Sequence, residues 1–180
     1  MNTRDCRFIF NGPIIDIEQM EVEIGETGWH TFQVIRHPGG AGVLPVHDDG
    51  SVSLIRQLRP AVGQHLIEIP AGRLSPGEEP LLCAERELVE ETGLVASEFI
   101  HLGFIYSSPG VFDEVIHLYA ACNLTQGAPQ PEEDEEIEVL RMDFREVLAM
   151  LADGRISDAK TVAAIARWWI HQGVIEKSLK

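Results

Sequence analysis

Cysteines, basic residues and long apolar runs are all scarce in this chain, and each scarcity removes a class of protein. Cys6, Cys83 and Cys122 are odd in number and far apart in a chain of 180 residues. They offer neither the even count of a secreted disulfide framework nor the close pairs of a zinc site, and they read as reduced thiols, mostly buried. No apolar stretch approaches the roughly 20 residues of a membrane-spanning helix. The opening MNTRDCRFIFNG has none of the basic, apolar and small-residue segments of a secretory leader, so the expectation is a cytoplasmic protein. Lys and Arg number 14 against 29 Asp and Glu, a formal net charge of −15. That balance argues against nucleic acid or an anionic membrane as partner, because gripping phosphate arrays needs clustered cations. It leaves open a phosphate-bearing small molecule bridged to carboxylates by divalent cations.

What is present suits one compact domain, or one domain plus a small accessory element: 44% of the residues are hydrophobic. Six short strand-like segments fill the first seventy residues, RFIF, IDIEQMEVEI, TFQVIRH, AGVLPVH, SVSLIRQL and HLIEIP, several with period-two alternation. HDDGS reads as a hairpin turn between the fourth and fifth. The period then changes to helical in PLLCAERELVEETG, with Pro80 suited to a first helical turn and Gly93 to a C-terminal cap. Two more strands, an acidic loop, a strand near Ile137 and two helical segments, FREVLAMLADG and DAKTVAAIARWWIHQG, complete the chain. This order predicts an α+β sandwich. In the last helix Trp168 and Trp169 are adjacent and cannot share a face, so one belongs in the core.

The central helix is where chemistry concentrates. Residues three and four apart share a helical face, so Glu87, Glu90 and Glu91 project side by side and Arg86 reaches Glu90 one turn on. Like charges so placed repel. A preceding Gly-containing turn and Glu78 approach from the same side, and hard cations such as Mg²⁺ take oxygen ligands of this kind while keeping waters for substrate phosphates. The repulsion is then the expected state of a metal site without its metal.

Gly72, five residues, Glu78, seven residues, then Arg86-Glu87-Leu88-Val89-Glu90-Glu91-Thr92-Gly93-Leu94 resembles the Nudix box at every specified position. The resemblance implies the Nudix fold, an α/β/α sandwich with a mixed central sheet, a catalytic loop-helix-loop and, here, N-terminal antiparallel strands. It also implies Mg²⁺-dependent hydrolysis, with Mn²⁺ as a possible substitute. By position, the carbonyl of Ala71 with Glu87, Glu90 and Glu91 are the implied metal ligands, and Arg86 holds the glutamates. Leu88 and Leu94 are implied core residues, Gly72 and Gly93 backbone-geometry residues.

Beyond the box, LIRQLRPAVG, IEIPAG, SSPGVFDE, EEDEEIEV and GRISDAKT look like the ADP-ribose pyrophosphatase subfamily, over roughly residues 30 to 165. The implied reaction is hydrolysis of ADP-ribose to AMP and ribose 5-phosphate. Another sugar nucleotide such as GDP-mannose is the rival substrate, and a non-catalytic nucleotide-sugar sensor is the rival outside the enzymes. Arg59 matches an arginine that contacts the diphosphate, a task suited to a planar guanidinium. Arg56, Arg36, the marker proline Pro109 and Glu114 are further substrate-binding candidates. Glu133 or Glu135, in the acidic loop, is the implied general base. The strands of residues 1–40 are expected to form an exchanged homodimer, with residues 41–180 as the catalytic domain.

Overall fold

The described residues form ten strands and three helices. In chain order they are β1 (Thr3–Asn11), β2 (Asp16–Ile24), a 3-10 turn at Gly25–Thr27, β3 (Gly28–Arg36), β4 (Gly40–Pro45), β5 (Val52–Arg59), β6 (Gln64–Glu68) and β7 (Ala71–Arg73). There follow α1 (Pro80–Thr92), β8 (Leu94–Tyr106), β9 (Val115–Gln126), β10 (Ile137–Met142), α2 (Phe144–Ala152) and α3 (Ala159–Ser178). The structure is a computed structural model and describes residues 2–13, 15–127 and 136–178, with side chains described as far as residue 173. The described chain divides into two compact units, Met1–Gly39 with Tyr106–Val115, and Gly40–Ile105 with Ile116–Lys180.

The first unit is a three-stranded antiparallel sheet ordered β1-β2-β3. The register of β2 on β3 runs without a break from Asp16↔Arg36 to Ile24↔Gly28, whereas β1 meets β2 with irregularities between Arg4 and Arg7 and between Phe8 and Phe10. Only Met20 and Val22 of this sheet are buried. The segment 106–115 fastens to the end of β3: Ile35 donates to the Val111 carbonyl at 2.8 Å and accepts from the Asp113 amide at 3.2 Å.

The second unit is built on a mixed sheet ordered β7-β4-β9-β8. Its central strand β4 is antiparallel to β7 and parallel to β9 and is buried at every residue, as a strand covered on both faces must be. Alternation sorts its side chains and those of β9 into two cores. Ala41, Val43, Tyr119 and Ala121 pack with Cys83, Ala84 and Leu88 of α1. Leu44, Leu118 and Ala120, on the other face, pack with Leu54, Ile69, Val147, Ile165 and Trp168 from β5, the β6–β7 link, α2 and α3. A second antiparallel sheet, β10-β5-β6, completes that layer. The arrangement is the expected α+β sandwich with a mixed sheet. Trp168 is the tryptophan taken into the core; Trp169 is exposed. Of the cysteines only Cys83 is buried, while Cys122 is half-buried and Cys6 exposed on β1, contrary to expectation. The exposed β1 has no covering layer to hide Cys6. The HDDGS turn closes, with His47 donating to Ser51 at 2.9 Å and Val46 bridging Val52. It links two different sheets, however, rather than the two arms of one hairpin.

Candidate active site

The helix that carries the carboxylates is delimited as its sequence suggests. Pro80 occupies its first turn, where no amide hydrogen is needed, and Gly93 ends it in the left-handed region at φ 70°, donating to the Val89 carbonyl at 2.8 Å. Leu88 and Leu94 are 1% and 4% exposed and anchor the helix on the sheet. With that face fixed, Glu87 and Glu91 are turned toward β7 and are themselves buried. Glu91 Oε2 accepts the backbone N–H of Ala71 at 2.9 Å. Glu87 lies so close under Gly72 that a Cβ there would stand 1.7 Å from its Oε1. Gly72 is thus required by proximity to a carboxylate, whereas Gly93 is required by backbone conformation.

Arg86 ties the remaining acids together. Its Nη1 donates to Glu87 at 2.6 Å and to Glu90 at 2.9 Å, and its Nε donates to Glu78 at 3.0 Å. The bonds to Glu78, first, and then to Glu87 and Glu90 raise the guanidinium pKa. Glu78, held by Arg86 and by the Ser75 amide at 2.8 Å, titrates below the usual carboxylate range. Arg86 therefore offsets part of the repulsion among Glu78, Glu87 and Glu90. Among the described residues no three His, Cys, Asp or Glu side chains stand in a metal-coordinating arrangement, and the guanidinium occupies the space between three of the acids. The donor chemistry nonetheless suits a hard cation: the Glu87, Glu90 and Glu91 carboxylates and the Ala71 carbonyl are all oxygen. Cys83, beside them, is no competitor, because burial and the nearby Glu87 push its thiol up to about 12.

Arg59 closes the end of β5 with a bidentate pair: Nε and Nη2 each donate to one oxygen of Glu68 at 2.8 Å. Glu68 is 1% exposed. Burial raises its pKa, but the bonds from Arg59 and the charge of Lys160 outweigh that and hold it below the ordinary value. Glu68, Lys160, Asp158 and Thr161 form one polar cluster with Arg59, in which Glu68, Lys160 and Thr161 are buried. The stretches IEIPAG and GRISDAKT contain all four, yet sequence reasoning assigned none of them a role. Their pairing spans 92 positions and leaves no local spacing to read.

The other candidates each have contacts of their own. Arg56 makes a loose, exposed pair with Glu138 at 3.6 Å. In the first unit Arg36 donates to Glu18 at 2.8 Å and to Asp113 at 2.9 Å, and the His37 ring meets Glu114 at 3.2 Å. Pro109 lines a cleft with Val34, Tyr106, Val111 and Phe112. Glu133 and Glu135 lie outside the described residues.

Comparison with known proteins agrees with this architecture. The NUDIX domain family model matches residues 36–165. The chain is 36% identical over 159 residues to an ADP-ribose pyrophosphatase of Bacillus subtilis, covering 87% of this chain and 86% of the relative. It is 34% identical to the methanol dehydrogenase activator of Bacillus methanolicus, covering 94% and 92%, and 40% identical to a GDP-mannose pyrophosphatase of Shigella flexneri, covering 77% of each. A solved structure of an ADP compounds hydrolase superposes with a TM-score of 0.82 over 96% of this chain and 95% of its own, at 21% identity, which speaks to the fold alone. With a complete box on a capped helix, a mixed sheet beneath it and relatives matched along most of their length, the chain belongs to the Nudix hydrolase family.

Proposed function

We propose that this chain hydrolyses ADP-ribose to AMP and ribose 5-phosphate with the help of Mg²⁺, Mn²⁺ being a possible substitute. The observation that carries the reading is the seating of Glu87 under Gly72 and of Glu91 on the Ala71 amide, which draws the box carboxylates to the turn before the helix. The ADP-ribose and GDP-mannose pyrophosphatases among the relatives support a nucleotide-sugar diphosphate as substrate. The Ala71 carbonyl, Glu87, Glu90 and Glu91 would hold the cation. Bound there, it supplies charge neutralisation for the diphosphate and a lowered pKa for water.

The chain's own residues do the rest. Arg59 offers a planar donor edge to the phosphates, with Arg56, Arg36, Pro109 and Glu114 as the secondary substrate set. Arg86 stays on the carboxylates and holds their rotamers. Glu133 or Glu135 takes the proton of the attacking water. The water oxygen bonds to phosphorus as the bridging P–O bond breaks, and the electron pair departs with the leaving phosphate. Residues 41–180 carry this chemistry in the proposal, and residues 1–40 form a homodimer by strand exchange. Supporting the latter, β1 is exposed along its length with Phe8 and Phe10 outward. No described helix is long and apolar enough to cross a membrane.

Purified protein with Mg²⁺ and, separately, ADP-ribose, GDP-mannose, NADH, diadenosine polyphosphates and oxidised dGTP tests the reading. AMP release from ADP-ribose above all others supports it. Preference for GDP-mannose transfers the assignment to that substrate, and binding of a nucleotide sugar without turnover makes the chain a sensor.

A further inference from the structure

Glu68 is shared. While Arg59 grips both its oxygens, Oε2 also accepts from Nζ of Lys160, in the first turn of α3. Lys160 is 9% exposed and pairs in addition with Asp158 at 3.1 Å. Asp158 caps α3, accepting from the Thr161 amide at 3.0 Å and from its hydroxyl at 2.6 Å. The same hydroxyl accepts the N–H of Ile69 at 2.8 Å. The start of α3 therefore holds the Glu68 side chain and the Ile69 backbone together, two residues before Ala71.

A carboxylate and an ammonium withdrawn from water, Glu68 and Lys160, carry a desolvation cost that apolar side chains of similar volume would avoid, so stability alone does not account for them. What they do fix is a plane. The bidentate pair uses two of the five guanidinium donors and leaves three on the edge turned away from Glu68, on a side chain still 36% exposed. With Lys160 on Oε2, the carboxylate cannot rotate without breaking a second ion pair. Lys160, buried and committed to two carboxylates, is not placed to meet a ligand itself.

We propose that Lys160, acting through Glu68, is a positioning residue that sets the guanidinium of Arg59 for the diphosphate of a nucleotide sugar; this rests on the reading of Arg59 as a diphosphate ligand. The test is kcat and KM for ADP-ribose with Mg²⁺ in the full chain, for wild type, Arg59→Gln, Lys160→Met, Lys160→Arg and the Arg59→Gln/Lys160→Met double variant. Loss of a charge-assisted contact is expected to raise KM roughly tenfold or more in Arg59→Gln. Lys160→Met raises KM about three- to tenfold with kcat little changed, Lys160→Arg restores most of it, and the double variant matches Arg59→Gln. An unchanged KM in Lys160→Met beside a raised KM in Arg59→Gln overturns the positioning role and leaves the Arg59 reading standing. Additive losses in the double variant also overturn it, since Lys160 then acts on the ligand independently. An unchanged KM in Arg59→Gln removes the Arg59 reading, and the inference with it. If near-ultraviolet circular dichroism shows Lys160→Met unfolded, Glu68→Asp replaces it in the same cycle. That variant keeps every charge while retracting the carboxylate, and the same KM outcomes decide.

Discussion

Glu87 occupies the space into which any side chain at position 72 would have to grow: the ideal Cβ of Gly72 falls 1.7 Å from Glu87 Oε1 and 2.1 Å from its carboxyl carbon. Gly72→Ala must therefore displace either the turn or the carboxylate. Overpacking of this kind costs about 1–3 kcal/mol, and a displaced ligand costs activity besides. The expected result is a lower urea midpoint and a kcat/KM for ADP-ribose at least tenfold below wild type. Wild-type activity in Gly72→Ala would show that Glu87 has no fixed post.

Glu91 accepts the Ala71 amide, so Glu91→Gln keeps an acceptor for that amide while losing its charge. Mg²⁺ at a hundredfold over its dissociation constant should stabilise wild type by about 2.7 kcal/mol, reversibly on chelation. Glu91→Gln should keep its metal-free melting temperature within a few degrees and lose most of the Mg²⁺ response along with turnover. Differential scanning calorimetry with and without chelator reads both. A kcat within a few-fold of wild type would remove Glu91 from the metal site.

The acid side of the stability profile should carry the signature of Glu68. Its pKa in the folded chain lies below 4.5, the value for a free glutamate. As pH falls through 4.5 the unfolded chain takes up this proton first, and stability drops until the folded pKa is passed. Above 4.5 the contribution is complete. Glu68→Gln should flatten this part of the curve and also lower stability at neutral pH by about 3–5 kcal/mol, because Arg59 and Lys160 lose their shared carboxylate. Urea midpoints between pH 3 and pH 7 check the shape, and an unchanged slope below pH 4.5 would contradict the pairing.

Phe8 and Phe10 are 55% and 51% exposed on a strand without a buried residue, an exposure of large aromatics that a second chain would relieve. Light scattering should give twice the 20.0 kDa chain mass. Phe8→Asp with Phe10→Asp should halve it. A wild-type monomer at micromolar concentration would end the dimer proposal.

Much of the site was legible because its determinants are local. Pro80, Gly93 and the spacing of Leu88, Glu87, Glu90 and Glu91 describe one capped helix, and Arg86 finds Glu90 one turn away in the sequence as in space. Strand β7 was not legible: three residues are too few to show a period, and only its pairing with Gly40–Gly42 defines it. The partition of Trp168 and Trp169 followed from helical geometry, while the union of Glu68 with Lys160 depended on α3 folding back over the sheet. Burial of Arg59's guanidinium partner was hidden for the same reason: Glu68 reads as one polar residue between the apolar Ile67 and Ile69 until its two cations arrive.

The pairing of Ile35 with Val111 and Asp113 gives the chain a threading that matters for anyone who would cut it. Between β8 and β9 the polypeptide leaves one unit, contributes residues 106–115 to the other, and returns. A fragment beginning at residue 41 would retain the Val111 carbonyl and the Asp113 amide but lose the strand that satisfies them, together with Arg36, the counter-ion of Asp113. The backbone passes three times from one unit to the other, so a single break leaves them covalently joined.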